Sequence, residues 1–173
     1  MERWIVLLRG VNVGGHNKLK MADFRAALEG SGYLDVATYI QSGNAVLRSD
    51  RTKSEIVAEV STLLKSRFEI DVPVLVLSAV ELREAVAENP FEGDLSRIIL
   101  WFSFEDLADF DSSDLNDLKA ATEEAAYTEK VIYLHAPDGI ARSKFAEKID
   151  RLVPVQLTAR NLRSARKILE LAS

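Results

Sequence analysis

Arginine, asparagine, glycine and lysine alternate through "LLRGVNVGGHNKLK", residues 7–20, in a pattern that suits anion binding. Arg9 and Lys18 supply positive charge and Asn12 and Asn17 supply amide donors. The Gly14-Gly15 pair lets the backbone turn so that its own N–H groups face a ligand. Glycine costs backbone entropy and buried polar groups need partners, so such a stretch is either a site or an awkward connection. The known nucleotide signatures fail in it. Gly10 and Gly15 have the separation of a P-loop, but His16 and Asn17 stand where the lysine and hydroxyl should meet phosphates and magnesium. The G-x-G-x-x-G dinucleotide fingerprint is missing too. A long structural loop whose polar groups cap its own turns would use the same residue types.

Two further loops carry the same chemistry. "DGIARSK" at 138–144 sets Arg142, Ser143 and Lys144 at a predicted helix N-terminus, and "LTARN" at 157–161 sets Arg160 and Asn161 before the last helix. Free amides and the helix dipole favour an anion there, and basic side chains at that end oppose the dipole unless something negative joins them. Ordinary capping by Ser143 and Asn161 with solvated charge is the plainer reading of each loop. "VATYIQSGNAVLRS" at 36–49 adds Gln41, Ser42 and Asn44, whose amides and hydroxyl can hydrogen-bond a base, sugar or substrate amide. A tight turn alone would also account for Gly43 and Asn44. Together these loops predict a composite site for a small phosphorylated or nucleotide-like anion. No reaction follows from them. Ser143 and Lys144 are adjacent on a helix and point about 100° apart, which makes a proton-sharing dyad awkward. His135, alone at a strand end, has no catalytic companion in the sequence.

The elements that must position these residues alternate between strand and helix. Residues 4–8 read as a strand and 21–31 as a helix with Phe24, Ala27 and Leu28 on one face. The run 36–49 reads as a hairpin around Ser42-Gly43-Asn44. Thr52 and Glu55 make a capping box before a helix to Phe68, with Ile56, Val60, Leu63 and Leu64 inward, and "VPVLVL" at 72–77 is the next strand. This β-α-β-β-α-β order is the ferredoxin-like split βαβ arrangement. In the second half Ser78 and Glu81 open a helix, 97–104 and 130–135 are strands, and a long acidic helix is expected over 112–127 with Leu115 and Leu118 inward. Helices from Ser143 and Asn161 close the chain. The expectation is an α+β fold of two subdomains, 1–78 and 79–173, the second a looser variation on the first.

Composition narrows the classes of function. Apolar residues make up 47% of the 173 and charged ones 28%, enough for one sizeable core or two small ones. "WIVLL" and "IILWF" are the longest apolar runs and far too short to span a bilayer, so a cytoplasmic protein without membrane association is expected. The lack of cysteine removes disulfides, thiolate catalysis and zinc–sulfur sites, and two histidines exclude a multi-histidine metal centre. No metal is expected and no cofactor can be named. The net charge of −5 is unevenly placed: residues 81–129 hold fourteen carboxylates and three bases, whereas 140–173 hold eight bases and three carboxylates. Acidic or basic faces of this kind also suit a protein-interaction module, including one that self-associates; the oligomeric state stays open.

The block from "LLRGVNVGGHNKLKMADFRAALEGSGYLDVATYIQSGNAVL" through "VPVLVLSAVELREAVAENPF", "IYLHAPDGIARSK" and "TARN" resembles, in the same order, the bacterial domain-of-unknown-function family numbered 1697. The resemblance implies two ferredoxin-like halves and no activity. Its distinctive segments coincide with the candidate residues above. His16 departs from the family's usual lysine, and Leu162 and Arg163 follow "TARN" where the family has tryptophan and asparagine. A ferredoxin-like order is also that of RNA-binding RRM domains, but "NAVLR" lacks the aromatics on which those stack bases, which argues against sequence-specific RNA reading. Contact of the basic C-terminal end with an RNA backbone stays possible and would weaken steeply with salt.

Overall fold

Trp4 to Leu8 are five consecutive apolar residues with no polar face. In the computed structural model, which describes residues 1–173, they belong to the strand β1 (Glu2–Leu8) and are all buried. A strand apolar on both faces belongs in the middle of a sheet. Accordingly β1 pairs antiparallel with β3 (Asn44–Ser49) on one side and β4 (Val74–Ser78) on the other, while β2 (Leu34–Tyr39) lies beyond β3. The helices α1 (Met21–Gly30) and α2 (Lys53–Phe68) join these strands. Phe24 and Leu28 of α1 and Ile56, Val60 and Leu64 of α2 bury against Trp4, Val6 and Leu8 in one apolar cluster. The Thr52–Glu55 capping box forms as expected, with Glu55 Oε2 accepting from Thr52 N at 2.7 Å.

The second sheet repeats the first. Its order is β6-β7-β5-β8 against β2-β3-β1-β4, with β5 (Ile98–Ser103) the fully buried central strand. β7 (Val131–His135) and β8 (Leu157–Asn161) flank it, and β6 (Glu124–Tyr127) lies beyond β7, so that β6 and β8 are the two edges. Trp101 and Phe145 meet with ring centres 6.0 Å apart and planes tilted by 53°, within a cluster that also holds Ile99, Leu115, Ile132, Leu134 and Ile149. Before this sheet stands α3 (Ala79–Ala87), opened by the expected Ser78–Glu81 box. The remaining helices are α4 (Ser113–Asn116), α5 (Lys144–Leu152) and α6 (Leu162–Leu171).

Two expectations need correction. The long acidic helix over 112–127 is a single turn, α4, followed by turns and the strand β6. Glu123 bends back to accept the Ala120 amide at 2.8 Å, and Tyr127 donates its hydroxyl to Asn116 Oδ1 at 2.7 Å. Pairing with β7 satisfies the backbone of 124–127 and outweighs the helix preference of its glutamates and alanines. Likewise "LTARN", read as a loop, is the strand β8, with Leu157–Asn161 in register against Ser103–Ile99. With β6 and β8 in place the second half has the complete strand set of the first, while both of its helices are shorter, α4 against α1 and α5 against α2.

The chain forms two compact units. One comprises Met1–Glu84 together with Arg166–Ser173, the other Ala85–Ala165.

Candidate functional site

The glycine-rich loop is a small hairpin. The Asn12 amide donates to the Asn17 carbonyl at 3.1 Å and the His16 amide to the Val13 carbonyl at 3.0 Å. Between them Gly14 (φ 57°) and Gly15 (φ 78°) are both left-handed, the combination that a two-residue type I′ connection demands. Asn12 and Asn17 are left-handed too, which asparagine tolerates better than most residues. The Asn17 side chain donates to the Gly10 carbonyl at 3.1 Å. Val11 and Leu19 are buried on either side and anchor the hairpin, leaving its tip and Lys18 exposed.

Asn12 joins this hairpin to the turn between β2 and β3. Its Nδ2 donates to the Leu19 carbonyl at 2.8 Å and to the Gln41 carbonyl at 2.7 Å, while its Oδ1 accepts the Leu19 amide at 2.8 Å. The approach is close. At Gly43 (φ 79°) a Cβ would stand 2.6 Å from Val11 Cγ2 and 2.7 Å from Leu8 Cβ, so glycine alone fits. The Leu8 amide donates to the Gly43 carbonyl at 2.8 Å and the Arg9 amide to the Pro73 carbonyl at 3.1 Å. Arg9, Asn12, Gly14, Gly15, Asn17, Lys18, Gln41, Ser42 and Asn44 therefore lie at one end of the first sheet. Gln41 and Ser42 are exposed there, Arg9 is half-buried, and Asn44 is buried with its Nδ2 donating to the Tyr39 carbonyl at 3.1 Å.

In the second unit the register pairs Ile98 with His135 and Ile99 with Asn161, so the loop after β7 and the end of β8 share one end of that sheet. Ser143 is buried and caps α5, accepting the Ala146 amide at 3.1 Å. Asn161 caps α6 by accepting the Ser164 amide at 2.8 Å. Arg142 and Lys144 stay exposed beside them. Arg160 is buried on β8, where Nη1 donates to Thr158 Oγ1 at 3.0 Å and to the Ala159 carbonyl at 2.7 Å. Burial lowers its pKa to about 10, which leaves it charged at neutral pH. His135 stacks on Phe91 with ring centres 6.0 Å apart.

Some residues at these ends escaped the sequence reading. Arg97 lays its guanidinium against Gly139 (φ 97°), in the space a side chain would fill. Lys20 sits at the N-cap of α1, which no side chain caps. Ile40 is left-handed at φ 47°. The Gly-Gly pair between short polar and apolar runs was the available signal for the 12–17 hairpin; nothing local marks Ile40.

Among solved structures the chain is similar to that of the conserved bacterial protein SP0830 from Streptococcus pneumoniae, with 23% identity over 99% of both chains and a TM-score of 0.79. That likeness is one of fold. No curated protein matches the chain. The model of the family described as protein of unknown function (DUF1697) matches residues 1–133, well over half the sequence, and the chain belongs to that family.

Proposed function

We propose that the protein binds a small phosphorylated or nucleotide-like anion at the loop end of its first unit. One observation carries the reading: Asn12 ties the 12–17 hairpin to the Gln41 turn, so this rim is held in place before any ligand arrives. The rim is also one-sided in charge. No carboxylate occurs from Arg3 to Ala22 or from Val36 to Leu47, while Arg9, Lys18 and Lys20 fall in the first of these stretches. A rim already held in shape, with Lys18 and Lys20 exposed on it, binds an anion at a smaller ordering cost than a loose loop would. Gln41 and Ser42 add neutral hydrogen-bonding groups that suit a sugar or base next to a phosphate. In the second unit Arg142, Lys144 and Arg160 are the candidates for the same class of ligand.

Binding rather than turnover is the reading. The Ser143 hydroxyl caps α5 and has no histidine, lysine or carboxylate hydrogen-bonded to it to act as a base, and Asn12 and Asn17 hold the loop instead of reaching outward.

The test is thermal unfolding of the purified chain against nucleotides, sugar phosphates, coenzymes and short RNA, repeated with Lys18→Ala, Arg9→Ala and Arg142→Ala. A ligand at about a hundred times its Kd adds roughly 2.7 kcal/mol, which raises Tm by several degrees. A shift with one chemical class that Lys18→Ala abolishes supports the first-unit rim. Loss in Arg142→Ala alone assigns the ligand to the second unit, and no shift with any compound refutes the reading.

A further inference from the structure

The same rim presents two large aliphatic side chains to solvent. Val13, beside the Gly14-Gly15 turn, is 64% exposed, and Ile40, in the turn before β3, is 48% exposed. Each is the chain neighbour of a residue in the 2.7 Å hydrogen bond from Asn12 to Gln41, so the two stand on adjoining loops.

The backbone at Ile40 does not favour isoleucine. Its φ of 47° lies where a branched Cβ is crowded by the backbone, and about half of the residue stays exposed. The other non-glycine residues in that region are Asn12, Asn17, Asp35 and Glu69: three Asn or Asp, which tolerate it, and the C-cap of α2. A strained, exposed, β-branched residue next to a second exposed aliphatic one is what a surface kept for a contact looks like.

We propose that Val13 and Ile40 are the apolar anchors of a docking surface for an acidic, apolar-bearing segment of a partner protein. The charge around them selects that partner. Lys18 and Lys20 are exposed on the same loop as Val13, and neither that stretch, Arg3 to Ala22, nor Val36 to Leu47 around Ile40 holds a carboxylate to repel an acidic segment. Val13 and Ile40 give nucleic-acid bases nothing to stack on, and the one tyrosine beside them, Tyr39, is half-buried rather than exposed as an interfacial anchor would be.

This surface shares Lys18 and Lys20 with the small-anion reading, but its anchors Val13 and Ile40 take no part in that reading. The experiment selects short peptides from a displayed random library on the full-length chain, then measures a synthetic winner by fluorescence anisotropy. Val13→Ser, Ile40→Asn and Lys18→Glu are compared with wild type, and phosphatidylglycerol vesicles are run in parallel. The expected winners interleave Asp or Glu with Leu, Ile or Phe. Asparagine accepts the left-handed backbone, so Ile40→Asn should keep or raise Tm while weakening the peptide by about ten-fold or more. Lys18→Glu should weaken it too. A small-anion Tm shift, by contrast, survives Ile40→Asn. The proposal is overturned if no peptide is enriched, if the winners lack carboxylates, if Val13→Ser and Ile40→Asn leave affinity unchanged, or if the vesicles bind and the peptides do not.

Discussion

The side-chain amide of Asn12 bridges two loops that are 29 residues apart in sequence, donating to the Gln41 carbonyl at 2.7 Å and to the Leu19 carbonyl at 2.8 Å. Its oxygen takes the Leu19 amide at 2.8 Å. Three hydrogen bonds, the two to Leu19 partly shielded and the one to Gln41 exposed, thus pass through one residue, which is itself left-handed.

Asn12→Ala removes all three and puts a less tolerant residue at φ 55°. With a net value near 1 kcal/mol for each of the two shielded bonds, little for the exposed one, and a conformational cost of about 1 kcal/mol, the loss should be about 3 kcal/mol by urea denaturation. Hydrogen exchange should quicken at the Leu19 amide before it does in β1. An unchanged urea midpoint would show that the bridge is dispensable.

Gly43 and Gly15 separate two uses of the same residue. At Gly43 an added methyl meets Val11 and Leu8 at 2.6 and 2.7 Å, so Gly43→Ala combines a clash with a strained backbone. Gly15 has a nearly equal φ but nothing within 4 Å of a Cβ. Gly15→Ala should cost about 1 kcal/mol and Gly43→Ala about 2–4 kcal/mol, read as the difference between their urea midpoints.

Ser143→Ala tests whether that hydroxyl is structural. Losing the bond from the Ala146 amide should cost about 1 kcal/mol, the usual value of a helix cap. Any ligand-induced Tm shift should persist. Its disappearance in a variant that still folds would give the hydroxyl a role in binding.

Glu81 predicts the pH behaviour of the first unit. Burial alone would raise its pKa, but Lys53 Nζ at 2.6 and 2.7 Å and the Ser78 amide at 2.7 Å hold the carboxylate below its ordinary 4.5. A depressed folded-state pKa contributes stability that is present above the unfolded value and is lost as pH falls through the folded one. Wild type should therefore lose stability below about pH 4.5 more steeply than Glu81→Gln, and the two curves should converge in acid. The side chain is 40% exposed, so the difference at neutral pH should stay near 1 kcal/mol. Parallel stability curves would show the ion pair to be without effect.

Where the sequence reading succeeded, local chemistry and tertiary packing agreed. Thr52–Glu55 and Ser78–Glu81 have capping partners three residues away, and Phe24, Leu28, Ile56, Val60 and Leu64 announce their buried face by spacing alone. The reading failed where a distant strand decided the outcome. Nothing within 112–127 says that Glu124–Tyr127 will be needed as the edge of a sheet whose other strands lie on both sides of it in sequence. "LTARN" is too short and polar to signal a strand, and it becomes one because β5 has an open side. At the candidate site the residue types were legible and their tasks were not. Asn12, Asn17, Ser143 and Asn161 carry amides and hydroxyls suited to a ligand, yet bonds to their own backbone engage them.

The first unit is discontinuous in sequence, and this orders its assembly. Ala85–Ala165 is one uninterrupted stretch, whereas Met1–Glu84 shares its unit with Arg166–Ser173, where Ile168 and Ala172 are buried. A ribosome releasing the chain from its amino end delivers every residue of the second unit before the first has received its last piece. The half that begins the chain is thus the later one to be completed, and a stop codon near residue 165 would deprive the unit translated first of its last piece.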